Sequence, residues 1–202
     1  MISIIDYGAG NLKSVEKALR YLNVDSKVTF DSDEINKSDG VILPGVGAFP
    51  MAMESLKKRG LDKVILDIAK EDKPFLGICL GMQMLFDVGE EIEETKGLGI
   101  IKGRVREIYG DVKIPHMGWN SLIINKRNKL FEGIPDSSYV YFVHSYYAEV
   151  ENKEDLNAYS EYGNIDITAA VSRGNIYGLQ FHPEKSGDLG LKILKNFVDL
   201  TI

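Results

Sequence analysis

Gly77-Ile78-Cys79-Leu80-Gly81-Met82-Gln83 is the stretch on which the reading of this chain turns. An apolar run, Pro74-Phe75-Leu76-Gly77-Ile78, leads into it, and apolar residues at helical spacing, Leu80, Met84, Leu85 and Val88, lead out. The pattern predicts a strand, a sharp turn and a helix, with a thiol at the bend. Gly77 and Gly81, two residues before and two after Cys79, let the chain turn tightly without Cβ clashes. This is the logic of a nucleophile elbow with sulfur in place of a hydroxyl oxygen. Cys79 is also the only cysteine, so no internal disulfide and no cysteine-based zinc cluster can form.

Outward from the elbow, the first half of the chain alternates strand and helix. Ile2-Ile5 precedes a helical stretch Asn11–Leu22 with Leu12, Val15, Ala18, Leu19 and Leu22 on one face, and Asn11 is placed to cap it. A short strand near Ser26–Phe30 and a buried strand Gly40–Leu43 follow. Helical spacing returns at Phe49, Ala52, Met53 and Leu56, where Pro50 suits a first helical turn, and again from Leu61 to Ala69. Such alternation implies βαβ units and a mainly parallel central sheet with helices on both faces, a flavodoxin-like α/β fold.

The second half reads as antiparallel β added to that core. Strands are expected at 103–108, 120–124, 139–143, 147–150 and 176–180, and a last helix at 189–200. Without repeat, low-complexity tract or linker, the 202 residues read as one domain. The net charge of −6 and the lack of a basic stripe disfavour nucleic acid as a partner. No apolar run approaches the roughly 20 residues that span a bilayer, and Met1-Ile2-Ser3-Ile4-Ile5-Asp6 is unlike a signal peptide. The chain is therefore expected to be soluble and cytoplasmic.

A thiol nucleophile needs a base, and the base an orienting group. Of the three histidines, His116, His144 and His182, the last ends an apolar approach in Gly178-Leu179-Gln180-Phe181-His182-Pro183-Glu184. Strand ends are where open α/β sheets bind ligands, so Cys79 and His182 are both expected there. Glu184, two residues on, is placed to hold the imidazole in one tautomer. Each residue alone has a plainer reading. A single cysteine is usually a small buried hydrophobe, and a histidine at a strand end is usually structural. Their combination favours chemistry. The histidines lack metal-site spacing, so no metal is expected.

The elbow together with His182-Pro183-Glu184 resembles the class I (triad) glutamine amidotransferases. The resemblance implies Cys79 as nucleophile on the glutamine side-chain amide, His182 as base and acid, Glu184 as orienter, and no cofactor. Four further segments occur in order: Asp6-Tyr7-Gly8-Ala9-Gly10-Asn11, Pro44-Gly45-Val46-Gly47-Ala48-Phe49, Pro115-His116-Met117-Gly118-Trp119-Asn120 and Phe142-Val143-His144-Ser145-Tyr146. Together they narrow the resemblance, over essentially the whole chain, to the glutaminase subunits of imidazole glycerol phosphate synthases. That family implies L-glutamine as substrate. It also implies a heterodimer with a cyclase subunit, which uses the ammonia to make imidazole glycerol phosphate and aminoimidazole carboxamide ribonucleotide in histidine biosynthesis.

Each segment also has its own physical reading. Gly8-Ala9-Gly10 opens a helix after a strand, but Lys13 stands where a dinucleotide fingerprint has its third glycine. Gly45 can let the Gly45–Val46 peptide turn so that the Val46 N–H meets a developing oxyanion, with the Leu80 N–H as second donor. An ordinary glycine-rich turn is the alternative there. Trp119 suits an interface or a core equally. The run Glu90-Glu91-Ile92-Glu93-Glu94 reads most simply as a solvated helix end. By resemblance, Glu91 instead binds the α-ammonium of glutamine, while Gln83 and the Ser145-Tyr146 backbone grip its other end. Asn11, Trp119, Asn120 and Lys185 would then face the cyclase. Two rival functions remain: a glutaminase subunit of a different synthase, and a non-catalytic flavodoxin-like binding subunit.

Overall fold

In a computed structural model, residues 1–8 and 10–201 are described. Ala9, inside the Asp6–Asn11 segment, therefore lies outside the described residues. In the first half, β1 (Ile2–Ile5), α1 (Leu12–Tyr21), β2 (Ser26–Thr29), α2 (Ser32–Lys37), β3 (Gly40–Gly45), α3 (Phe49–Lys58), α4 (Leu61–Lys70), β4 (Phe75–Cys79) and α5 (Leu80–Gln83) alternate as expected. The second half is mostly strand: β5 (Phe86–Gly89), β6 (Thr95–Lys96), β7 (Ile101–Glu107), β8 (His116–Ser121), β9 (Ile123–Ile124), β10 (Tyr139–His144), β11 (Tyr146–Val150), β12 (Leu156–Tyr162), β13 (Ile165–Arg173) and β14 (Ile176–Leu179). Helix α6 (Gly187–Asp199) follows.

The main sheet has eight strands in the order β2-β1-β3-β4-β14-β13-β12-β9. From β2 to β14 neighbouring strands are parallel, and from β14 to β9 they are antiparallel. The parallel part has the flavodoxin-type order, in which the chain reverses direction between β1 and β3. Alternate side chains of these strands enter two separate cores, as the two-residue period of a strand requires. Ile4, Ile42, Leu76 and Ile78 pack with Val15 and Leu19 of α1 and Ile193 and Phe197 of α6. Ile5, Val41, Leu43 and Phe75 pack with Ala52 and Leu56 of α3 and Ile65 and Ile68 of α4. Because the central strands are buried on both faces, they read as continuous apolar runs.

Two smaller sheets flank this core, one ordered β11-β7-β5-β6 and the other pairing β10 with β8. They carry the segments His116–Asn120 and Ser145–Tyr146 up to the carboxyl edge of the parallel strands.

Three sequence expectations need correction. The helix after Cys79 has a single turn, and Val88 lies in strand β5. Phe86 and Val88 pair with β7, so sheet formation overrides the helical apolar spacing. For the same reason Glu90–Glu94 is not a helix end but the connection between β5 and β6. Finally, Asn11 stands at the N-cap position of α1 with a left-handed backbone (φ 74°) and makes no side-chain cap. Its amide is used elsewhere.

Candidate active site

The site starts with a backbone conflict that the two glycines resolve. Cys79 has φ 55° and ψ −113°, a conformation costly for an L side chain by about 1–3 kcal/mol. It persists because α5 is pressed onto the strands beneath. A Cβ on Gly81 would lie 1.8 Å from the Leu43 carbonyl oxygen of β3, and one on Gly77 would lie 2.7 Å from the Gly81 carbonyl oxygen. Only glycine fits at either position. The thiol is thereby held at the carboxyl end of β4, with β3 and β14 on either side.

Because β1, β3, β4 and β14 are parallel, their following segments all emerge at one edge. Gly45 ends β3 opposite Cys79. His182 follows β14, and its backbone N–H donates to the Tyr141 carbonyl at 3.0 Å. Ser186 reinforces the loop, donating to the His182 carbonyl at 2.7 Å and accepting from the Tyr141 N–H at 2.9 Å. Asn11 arrives from the segment after β1.

His182 Nδ1 lies 2.8 Å from Glu184 Oε1, and both side chains are buried. Asn11 Nδ2 donates to the same carboxylate oxygen at 2.7 Å. A carboxylate oxygen only accepts, so the proton between the two residues sits on His182 Nδ1. Burial alone would push the Glu184 carboxyl up, but hydrogen bonds from His182 and Asn11 hold it below its ordinary value. Burial is likewise the largest influence on His182 and acts downward. The nearby Cys79 sulfur, and hydrogen bonding and charge from Glu184, outweigh it and raise the imidazole to about 9. His182 Nε2 is buried without a hydrogen-bond partner among the described residues. The thiol therefore acts on the imidazole chiefly through proximity, and a substrate has to complete the alignment.

Cys79, His182, Leu80 and Val46 line one cavity of about 310 Å³, together with Gln83, Glu91, Ser145, Tyr146 and Lys185. The structure thus gathers these nine of the residues singled out from the sequence at one cavity, Lys185 among them although it was assigned to the partner face. The amide hydrogens of Gln83 are committed, at 2.9 Å each, to the Tyr146 carbonyl and to Gln180 Oε1. One oxygen of Glu91 accepts from the Phe49 N–H at 2.7 Å, capping α3 from outside. Asn11, also assigned to the partner face, has its side chain turned onto Glu184 instead. Trp119 is 55% exposed on β8, which decides against its core reading. Asn120 beside it is half-buried and donates to the Glu161 carbonyl at 2.9 Å.

Two neighbours of the thiol escaped the sequence reading. Gln180 Nε2 reaches Cys79 Sγ at 3.7 Å, and Gln180 is fully buried. Its spacing of two from His182 in an extended segment was the available signal. The Tyr7 hydroxyl is buried without a partner among the described residues, and a Cβ on Gly45 would approach it to 2.5 Å. Burial first, then the charge of Cys79, raise the Tyr7 phenol well above its ordinary value. No local pattern marks a tyrosine after a strand as a neighbour of a thiol formed some seventy residues later in the chain.

Comparison with known proteins identifies the family. The glutamine amidotransferase class-I family model matches residues 3–200. A Bacillus thuringiensis (strain Al Hakam) protein named imidazole glycerol phosphate synthase subunit HisH is 53% identical over 197 residues, covering 98% of this chain and 93% of that one. A Bacillus anthracis protein of the same name is 52% identical with the same coverage. Among solved structures, a putative GMP synthase subunit from Thermoplasma acidophilum is 25% identical with a TM-score of 0.74, covering 99% of this chain and 92% of that one. PurLQS from Thermotoga maritima, 19% identical with a TM-score of 0.76 over 98% of this chain and 97% of that one, shares the fold. Taken with the elbow and its buried His–Glu pair, these matches mean that the chain belongs to the class-I glutamine amidotransferase family, among the HisH subunits of imidazole glycerol phosphate synthase.

Proposed function

We propose that this chain hydrolyses L-glutamine to glutamate and ammonia and passes the ammonia to a cyclase subunit. The observation that carries the reading is the meeting of a strained, buried Cys79 with the His182–Glu184 pair at one cavity. His182 takes the thiol proton, and the Cys79 sulfur attacks the side-chain carbonyl carbon of glutamine. The N–H of Leu80 and that of Val46, turned inward at Gly45, stabilise the oxyanion, each contributing about 3 kcal/mol. The tetrahedral adduct collapses, the C–N bond breaks, and His182 returns its proton to the leaving ammonia. Water, deprotonated by His182, then cleaves the thioester to glutamate and the free thiol.

Glu184 orients the imidazole and stabilises its charged form throughout, with Asn11 fixing the carboxylate. The free oxygen of Glu91 is the partner for the glutamine α-ammonium. Gln83 orders the Tyr146 backbone through its amide and offers its remaining carbonyl oxygen to the substrate, alongside Ser145 and Tyr146.

Ammonia released into bulk water would be protonated and lose its nucleophilicity, so a docked acceptor is chemically favoured. The exposed apolar groups Met117, Trp119 and Tyr139 lie on one face of the β8–β10 pair, with Met117 opposite Val143 of the cavity lining, and suit such an interface. Lys185, which lines the cavity, adds a cation to the face offered to the cyclase, whereas the Asn120 side chain projects from the opposite face of β8 toward His116 and the Glu161 carbonyl. We further infer a single domain over residues 1–202, no organic cofactor, and a cytoplasmic location. No described helix is long and apolar enough to cross a membrane.

Treating the chain with an electrophilic glutamine analogue and locating the adduct by mass spectrometry tests the nucleophile. One adduct at Cys79, suppressed by glutamine, is expected. Modification elsewhere, or none, would remove the reading and leave a binding subunit with this fold.

A further inference from the structure

The two histidines that the reaction leaves unused form a hydrogen-bonded line from the inner face of β8 into the cavity. His116 and His144 stand directly opposite each other on β8 and β10, and both are buried. Asn120 Nδ2 lies 3.3 Å from His116 Nε2, His116 Nδ1 lies 3.0 Å from His144 Nε2, and His144 Nδ1 lies 2.8 Å from the Tyr146 carbonyl oxygen.

The proton positions follow by elimination. A carbonyl oxygen only accepts, so His144 Nδ1 carries a hydrogen. In a neutral ring His144 Nε2 then accepts, so His116 Nδ1 must donate to it. His116 Nε2 accepts in turn, and the Asn120 amide supplies the hydrogen. Each ring thus has one neutral tautomer that satisfies every contact, and a second proton on either ring would break one of them. Burial, the main influence on both rings, lowers His116 to about 4 and His144 to about 3, which keeps them neutral.

The line is mechanically constrained at each end. The His116 ring is stacked between Phe142 and Tyr162, at 4.7 and 4.1 Å between centroids. At the inner end the Tyr146 carbonyl accepts from both His144 and Gln83. Gln83 bonds Gln180, which in turn reaches the thiol.

We propose that His116 and His144 are positioning residues that fix the Ser145–Tyr146 backbone for substrate and tie its placement to strand β8, whose other face carries Trp119. The proposal rests on the reading of the cavity as a glutamine site. Neither ring exchanges a proton with the substrate. Their role is to hold the Tyr146 carbonyl at a fixed angle, so that a displacement of β8 is felt where glutamine binds.

The test has two arms. Nitrogen-15 NMR of the wild-type chain at neutral pH should show both rings as the Nδ1–H tautomer, the opposite of the form free imidazole side chains prefer. The Nε2–H tautomer on either ring would overturn the proposal. In the second arm, glutamine hydrolysis is measured with the cyclase present. His116→Phe keeps the ring stack and removes both hydrogen bonds, and should raise KM about tenfold with little change in kcat per folded molecule. His116→Asn, which keeps a donor near the Nδ1 position, should recover most of that loss. An unchanged KM in folded His116→Phe protein would overturn the proposal, and if that variant does not fold the tautomers decide alone. A wild-type chain without glutamine turnover would overturn the glutaminase reading itself, while the tautomers would still judge the hydrogen-bonded line.

Discussion

The decisive residue-scale balance is at His182. Burial pulls its pKa down, yet Cys79 and Glu184 favour the charged ring strongly enough to raise it from an ordinary 6.5 to about 9. Cys79→Ala removes the strongest upward influence, so the His182 pKa should fall below about 9, as read by NMR titration of the ring. An unchanged value would mean that the thiol and the imidazole do not interact. The same shift links to stability. A group whose pKa is raised on folding stabilises the protein fully below its unfolded value of about 6.5, and that contribution is lost as pH rises through about 9. Denaturant midpoints across this window should decline in the wild type. In Cys79→Ala the part of the decline due to His182 should move to lower pH. The placement of Cys79, His182 and Glu184 together was legible because each stands in a short local pattern. The roles of Gln180, Tyr7 and Asn11 were not, because each depends on partners brought together by the tertiary fold. Asn11 illustrates the point: local chemistry predicts a helix cap, yet a buried carboxylate captures its amide.

At the scale of the element, the elbow depends on close approach between backbones. Gly81→Ala would place a methyl group 1.8 Å from the Leu43 carbonyl oxygen, with backbone on both sides and no flexible side chain to yield. It should cost roughly 3 kcal/mol or more of stability, seen as a lower denaturant midpoint, and remove activity with it. A change within about 0.5 kcal/mol would mean that α5 does not sit against β3 in this way. The parallel strands were readable because burial on both faces makes them continuous apolar runs. The edge of the main sheet was not. Strand β13, Ile165–Arg173, is the longest of all, but Thr168, Ala169 and Ala170 interrupt its apolar pattern with small residues. Strand β12 contains Asn157 and Ser160, both buried, where a polar residue suggests solvent. The helix expected beyond Gln83 failed for the complementary reason. Phe86 and Val88 fit a helical face as well as a strand, and only β7, which lies later in the chain, decides between them.

At the scale of the whole molecule, the topology assembles the site. Four parallel strands deliver Tyr7 and Asn11, Gly45, Cys79 and His182 to one edge, and the β8–β10 pair sets an exposed aromatic face beside them. If that face receives the cyclase, Trp119→Ala should leave the stability of the isolated chain nearly unchanged while weakening the complex by about tenfold or more, as measured by titration calorimetry. Equal affinity in the variant would place the interface elsewhere. Glutamine turnover should likewise be higher in the complex than in the isolated chain, because His182 Nε2 has no hydrogen-bond partner among the described residues of the chain alone. The most direct test of the catalytic triad is the rate of glutamate formation by the chain assembled with its cyclase, compared between the wild type and Cys79→Ala. Turnover in the wild type and a loss of at least about 10³-fold in the variant is the expected result, and a folded Cys79→Ala complex that still hydrolyses glutamine at a comparable rate would contradict it.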